Sequence, residues 1–173
     1  QEFLWSRSAL FHAGAHLKSI SYLGKKPITT SAFISLSHCK EGVAAAYSKN
    51  LEVGIDIETR RENLGRIATK FTTDREKERF TCDEQIALQF IWGIKESLFK
   101  LYGFGNVDFK KHLEITSFEW NARTKQGWGT AWIIQTCAER TRPIQCLVQT
   151  AIVGDHFICM ASHRKPIAPF ESE

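Results

Sequence analysis

The chain has 173 residues, 43% of them hydrophobic and 24% charged, with a formal net charge of +4; this is the composition of one globular domain, or of two small halves sharing a core. The positive excess is mild and scattered, so it suits an anionic ligand or an acidic partner without identifying either, and no dense basic and aromatic patch points to nucleic acid. Cys39, Cys82, Cys137, Cys146 and Cys159 are an odd set with no CxxC pair, which argues against a disulfide framework or a zinc site and for reduced, mostly buried thiols in a cytoplasmic protein.

Residues 2–17 read as an amphipathic helix with Leu4, Leu10, Phe11 and Leu17 on its apolar stripe, weakened at Gly14. Gly24-Lys25-Lys26-Pro27 reads as a loop, because proline lacks an amide donor and biases its predecessor toward extended geometry. Strands are predicted over Phe33–Ser37 and Val43–Tyr47, joined by a turn at Lys40-Glu41-Gly42. The next strand, Val53–Glu58, alternates: Val53, Ile55 and Ile57 face one way, and Gly54, Asp56 and Glu58 the other.

Two capping-box patterns follow, Thr73-x-x-Glu76 and Thr81-x-x-Glu84. The second opens the strongest predicted helix, about residues 82–102, with Ile86, Phe90, Ile94, Leu98 and Leu101 on its buried stripe and Gly103 as its stop. Ile55 and Ile57 are expected to pack against that stripe. From Leu113 the pattern is β: about 113–120, 128–137, 145–153 and 156–162, with Gly154-Asp155 as a two-residue hairpin turn. The tail from Lys165 is expected to fray. No apolar run approaches the ~20 residues needed to span a bilayer. The order of strands, helix and strands argues for an α+β fold.

Three clusters could carry chemistry. Asp56 and Glu58 lie on one strand face with Cα atoms roughly 6.6 Å apart at about 3.3 Å per residue. Two carboxylates at that separation can share a divalent cation, and Gly54 beside them leaves room for a ligand. Taken alone, an Asp-x-Glu is more often the solvated face of a strand. Gln89, Gly93, Glu96 and Lys100 are spaced four, three and four apart, so they share one helix face. A mid-helix glycine costs about 1 kcal/mol relative to alanine, so Gly93 implies that something approaches the backbone closely. Ser35-Leu36-Ser37-His38-Cys39 places hydroxyls and a histidine at a strand end, where phosphate oxygens could be held. No P-loop and no nucleophile elbow accompanies them.

Taken in order, Ser-Leu-Ser-His-Cys (35–39), Val-Gly-Ile-Asp-Ile-Glu (53–58) and Trp-Gly-Ile-Lys-Glu-Ser-Leu-Phe-Lys (92–100) resemble the signatures of the larger 4'-phosphopantetheinyl transferases, the type that activates surfactin and enterobactin synthetases. The resemblance extends over about residues 2–120. It implies a pseudo-dimer of two similar α+β halves in one chain, residues 1–52 and 53–173, with the active site at their junction and a monomeric protein. The shorter, trimeric acyl-carrier synthases share the Gly-Ile-Asp and Lys-Glu motifs but not the upstream Ser-His or the second carboxylate.

The same resemblance assigns roles. Asp56, Glu58 and Glu96 would surround Mg2+ bridging to the pyrophosphate of coenzyme A, the co-substrate. Lys100, with Lys95 beside it in the motif, would contact coenzyme phosphate. Ser37 and His38 would meet the 3'-phosphate region, and Lys26 the same nucleotide. Asp56, Glu96 and Lys100 are the catalytic set, Glu96 being the general-base candidate with a water on the ion as the alternative. The partner would be an apo acyl or peptidyl carrier protein, steered by Arg60, Arg61, Lys70, Arg75, Lys77 and Arg79. Two departures stand out. Gly93 replaces a small hydroxyl, thiol or alanine. The family's basic residues ahead of the first helix have no counterpart here, so part of the nucleotide grip is expected before Gln1, with Arg7 the nearest substitute. The alternative function is a non-catalytic coenzyme- or carrier-binding module of the same fold.

Overall fold

In the computed structural model, which describes residues 2–15, 20–23, 26–103, 105, 107–137 and 140–164, the elements follow in the order α1 (Glu2–His12), β1 (Ser21–Leu23), β2 (Lys26–Ile28), β3 (Phe33–Cys39), β4 (Gly42–Ser48), β5 (Glu52–Thr59), α2 (Leu64–Phe71), α3 (Asp74–Lys77), α4 (Glu84–Tyr102), β6 (Leu113–Asn121), β7 (Gln126–Cys137), β8 (Arg140–Val153) and β9 (His156–His163). Strands β5-β9-β8-β7-β6 form one antiparallel sheet in that spatial order, while β1–β2 and β3–β4 are separate two-stranded ribbons. The architecture is α+β, as the alternation of patterns predicts.

Helix α4 organises the core. Asp83 caps its start, the carboxylate accepting from the amides of Gln85 and Ile86, and Gly103 ends it at φ 73°. The cap is therefore Asp83 and not the Thr81 box, because Asp83 stands immediately before the first helical residue. The Thr73–Glu76 box is present at α3. Phe90, Ile94, Leu98 and Leu101 are fully buried against Leu113, Ile115, Ala131, Ile133, Val148 and Ala161 of the sheet. Ile86 is only partly buried at the rim.

Strand β5 sits between two layers, and its side facing α4 is the opposite of the one expected. A side chain at Gly54 would lie 2.0 Å from the Ser97 carbonyl oxygen and 2.6 Å from the Leu101 amide nitrogen, so the Gly54–Asp56 face lies against α4. Val53, Ile55 and Ile57 are buried instead with Ala44, Ala46, Phe33, Ile158 and Met160, under the β3–β4 ribbon. That ribbon covers only the β5 end of the sheet. Farther along the same face Trp128, Trp132 and Leu147 are exposed, and a cavity of about 360 Å3 lies among Ile55, Trp128, Gln149, Ile158 and Met160.

The N-terminal elements are smaller than predicted for the helix and richer in strand. Helix α1 stops at His12; Leu10 is buried and Phe11 exposed, and Leu17 lies outside the described residues, as does the side chain of Leu4. Lys26–Ile28 pairs with Ser21–Leu23 rather than forming a plain loop; Pro27 is tolerated because a two-stranded ribbon leaves an edge amide unpaired anyway. Residues 24 and 25, Phe104 and the tail from Lys165 lie outside the described residues. No described helix is long and apolar enough to cross a membrane.

Candidate active site

Where β3, β5 and α4 meet, three side chains close a triangle. Lys100 Nζ lies 2.7 Å from Asp56 Oδ1 and donates to Ser37 Oγ at 2.7 Å, while Ser37 donates to the same Asp56 oxygen at 3.0 Å. Asp56 is buried and Lys100 partly so, which makes this a desolvated pair whose attraction is stronger than a surface pair's. The local folding explains the meeting. Period two aims Asp56 at the helix, period 3.6 brings Gly93, Glu96 and Lys100 onto the facing stripe, and Ser37 comes from the ribbon at the free edge of β5.

The glycines have structural work here. A side chain on Gly93 would lie 2.7 Å from Cys159 Sγ, with Asp56 Oδ2 at 3.8 Å. The close neighbour is therefore β9, and the space expected beside Gly54 is filled by the α4 backbone. Ser97 holds the same contact from the helix side, its hydroxyl lying 2.8 Å from both the Gly93 and Cys159 carbonyl oxygens. Cys159 is fully buried, and burial with Asp56 nearby pushes its thiol well above the ordinary range.

Asp56 Oδ2 is buried and has no hydrogen-bond partner among the described residues. Glu96, half-buried on the same side of α4, makes no hydrogen bond there either. Its carboxyl is held above the ordinary value, first by burial, then by the Asp56 charge, with Lys100 opposing and Glu58 adding to the rise. An orphaned carboxylate oxygen beside a second, destabilised carboxylate is a donor set that a small hard divalent cation fits. As the side chains stand, no three His, Cys, Asp or Glu residues among the described ones converge on one point. Both oxygens of Glu58 are taken by Arg61: Nε lies 3.1 Å from Oε2, and Nη2 bonds Oε1.

The other expected site residues are dispersed. Lys95 is fully buried on another side of α4, with Nζ 2.8 Å from Glu76 Oε1 and 2.9 Å from the Phe109 carbonyl oxygen. Burial lowers its pKa against the pull of Glu76. A coenzyme contact does not fit that placement; Lys95 ties α4 to α3. His38 is exposed on β3, on the face opposite Ser37. Lys26 lies at the C-terminal end of α4, bonded to the Leu101 carbonyl at 3.2 Å and to Glu52 at 3.3 Å. Of the basic residues expected to steer a partner, Arg60, Lys70 and Arg75 are exposed, Lys77 pairs with Asp74 and Arg79 with Glu114.

Two residues that the sequence placed in these clusters without a role of their own have structural contacts. Gln89 is buried, accepting the Arg61 amide at 2.9 Å, and the Arg61 guanidinium lies 5.5 Å from the Trp92 ring centroid. The four-residue step from Gln89 to Gly93 was the available signal for the first. Ser35, two residues before Ser37 in the same motif, accepts the Ile55 amide at 3.0 Å.

No curated protein matches the chain. A family model described as the 4'-phosphopantetheinyl transferase superfamily matches residues 52–158, from the start of β5 into β9, and so takes in Asp56, Glu58, Glu96 and Lys100. That span is more than half of the chain, and the chain belongs to the 4'-phosphopantetheinyl transferase superfamily.

Proposed function

We propose that this transferase moves the 4'-phosphopantetheine group of coenzyme A onto a serine of an apo carrier protein and releases 3',5'-ADP. The observation that carries the reading is the Lys100–Asp56–Ser37 triangle with its unpaired, buried Asp56 oxygen, next to a Glu96 carboxyl raised by burial and by Asp56. Asp56, Glu96 and, once freed from Arg61, Glu58 are the residues that would hold Mg2+. When bound, such an ion neutralises charge on the coenzyme pyrophosphate.

The chain's own residues do the rest. Glu96 takes the proton of the carrier serine, and a helix buried along one side holds it in place. The serine oxygen then bonds to the β-phosphorus of coenzyme A as the pyrophosphate P–O bond breaks, and the leaving oxygen carries the charge onto 3',5'-ADP. Lys100, anchored by Asp56 and Ser37, is the cation placed to stabilise that charge. Because Ser37 comes from the N-terminal ribbon and Asp56 from β5, a junction near residue 52 between two halves, 1–52 and 53–173, is supported as the place of the site. Since all these groups belong to one chain, a monomer suffices. The exposed Arg60, Lys70 and Arg75 supply positive charge suited to an acidic carrier.

The test is to incubate the protein with coenzyme A, Mg2+ and a panel of apo acyl and peptidyl carrier domains, and to weigh the carriers. One phosphopantetheine mass added to a carrier, abolished by chelator and by Asp56→Asn, is expected. Coenzyme A retained by the protein while every carrier keeps its mass would instead show a non-catalytic binding module.

A further inference from the structure

Arg61 stands two residues beyond the end of β5 and is fixed from three directions. Its guanidinium takes both oxygens of Glu58. Its backbone amide donates to Gln89 Oε1 at 2.9 Å, and the guanidinium carbon lies 5.5 Å from the Trp92 ring centroid. Gln89 and Trp92 are both carried by α4, the helix that also presents Glu96 and Lys100. The three acidic side chains of the site are thus in unequal states. Asp56 keeps an unpaired oxygen and Glu96 makes no hydrogen bond among the described residues, whereas both oxygens of Glu58 are occupied by a planar fork. No three carboxylates converge among the described residues.

We propose that Arg61 is a positioning residue that holds Glu58 away from Asp56 and Glu96, so that the Arg61–Glu58 pair and a bound divalent cation exclude one another. The proposal rests on reading Asp56, Glu58 and Glu96 as the cation-binding set. Arg61 is about half exposed, with 46% of its side chain accessible, so solvent receives the guanidinium when Glu58 leaves it. Separation of a partly exposed ion pair costs little, on the order of 0.2–1 kcal/mol. The clamp therefore tunes the cation concentration at which the site assembles and does not block it.

The probe is Mn2+, titrated calorimetrically into the protein without coenzyme A. Arg61→Gln is expected to bind Mn2+ about 1.4- to fivefold more tightly than wild type, the fold-change corresponding to that pair energy. Arg61→Lys separates a clamp from a mere positive field: lysine keeps the charge but cannot fork both oxygens, so it too should tighten binding, by less. In a Glu58→Gln background, titrated at correspondingly higher Mn2+, Arg61→Gln should change nothing, because its effect passes through Glu58. Unaltered or weaker Mn2+ binding in Arg61→Gln overturns the clamp, as does an equal gain with and without Glu58. Asp56→Asn reports on the underlying reading. If it loses Mn2+ while Arg61→Gln gains none, only the clamp fails. If Mn2+ affinity ignores Asp56, the cation set is wrong and the clamp falls with it.

Discussion

Glu96 is a carboxyl group that folding makes uncomfortable. Burial disfavours its charge, Asp56 and Glu58 repel it, and Lys100 and Arg61 only partly compensate. A carboxyl whose folded-state pKa lies above its unfolded value binds more protons in the folded state between the two. Its contribution is therefore fully present at pH below the ordinary value of 4.5 and is lost as pH rises through the raised folded value. Glu96→Gln removes that loss. In chelator at pH 7–8 the variant should melt at a higher temperature than wild type, with the gap closing as pH approaches 4.5. Mg2+ should then stabilise wild type and do little for the variant, since the ion relieves a repulsion that only wild type has. Equal melting temperatures at pH 8 would mean that Glu96 is well solvated and not strained. The two lysines of the same motif show how far residue identity alone carries. Lys95 and Lys100 look equivalent as letters, yet five positions on a helix turn them well apart, and Lys95 falls outside the four-three-four face that unites Gln89, Gly93, Glu96 and Lys100. Periodicity separates them; motif adjacency does not.

At the scale of elements, the contact between α4 and its two strands depends on missing side chains. Gly93 faces Cys159 Sγ at a would-be 2.7 Å, and Gly54 faces the backbone of Ser97 at a would-be 2.0 Å. The two should respond differently to alanine. Gly93→Ala gains about 1 kcal/mol of helix propensity but overpacks against sulfur, for a typical loss of about 1–3 kcal/mol; the net is destabilising. In a Cys159→Ala background the obstructing atom is gone, and Gly93→Ala should become stabilising by up to about 1 kcal/mol. Gly54→Ala meets backbone that no side-chain truncation clears, so it should reach or exceed the upper end of that overpacking range of about 1–3 kcal/mol in either background. Urea denaturation of the five variants checks the reversal of sign, and a destabilising Gly93→Ala in both backgrounds would contradict it. These glycines also mark the boundary of what was legible. Period two correctly separates Ile55 and Ile57 from Asp56 and Glu58, and the strands and α4 lie close to their predicted places. Which face meets the helix was not legible from hydrophobicity, because both faces of β5 are buried. The better signal was Gly54 itself, the one residue through which a helix backbone can approach a strand so closely. The Arg61–Glu58 pair was hidden for a different reason: it closes over the end of the strand, where neither helical nor strand periodicity applies.

At the scale of the whole molecule, two polar seams join parts that hydrophobic patterning treats separately. One is Glu76, whose carboxylate receives Lys95 Nζ, the Thr73 amide and the Ile115 amide, and so binds α3 to α4 and β6. Lys95→Ala leaves that buried charge uncompensated and should destabilise by about 3–5 kcal/mol, read by urea denaturation. The other seam fastens the N-terminal ribbon to the large sheet. Strand β5 is an edge strand, and an edge presents amides that need partners once they are buried. Ser35 supplies one through its side chain, accepting the Ile55 amide at 3.0 Å, while Val53, Ile55 and Ile57 pack beneath Ala44 and Ala46. Ser35→Ala keeps the apolar contact but orphans a buried donor, which should cost about 1–3 kcal/mol. Ser37→Ala should cost less stability, because Asp56 retains Lys100 at 2.7 Å, yet it should impair transfer more, because the lysine loses its second anchor. Hydrogen exchange gives the sharper reading: the Ile55 amide should exchange faster in Ser35→Ala, with amides in the middle of α4 slowed or hastened only as global stability dictates. Unchanged exchange at Ile55 and unchanged stability would mean that the ribbon is held by apolar packing alone, and that the serines of this strand serve the site and not the seam.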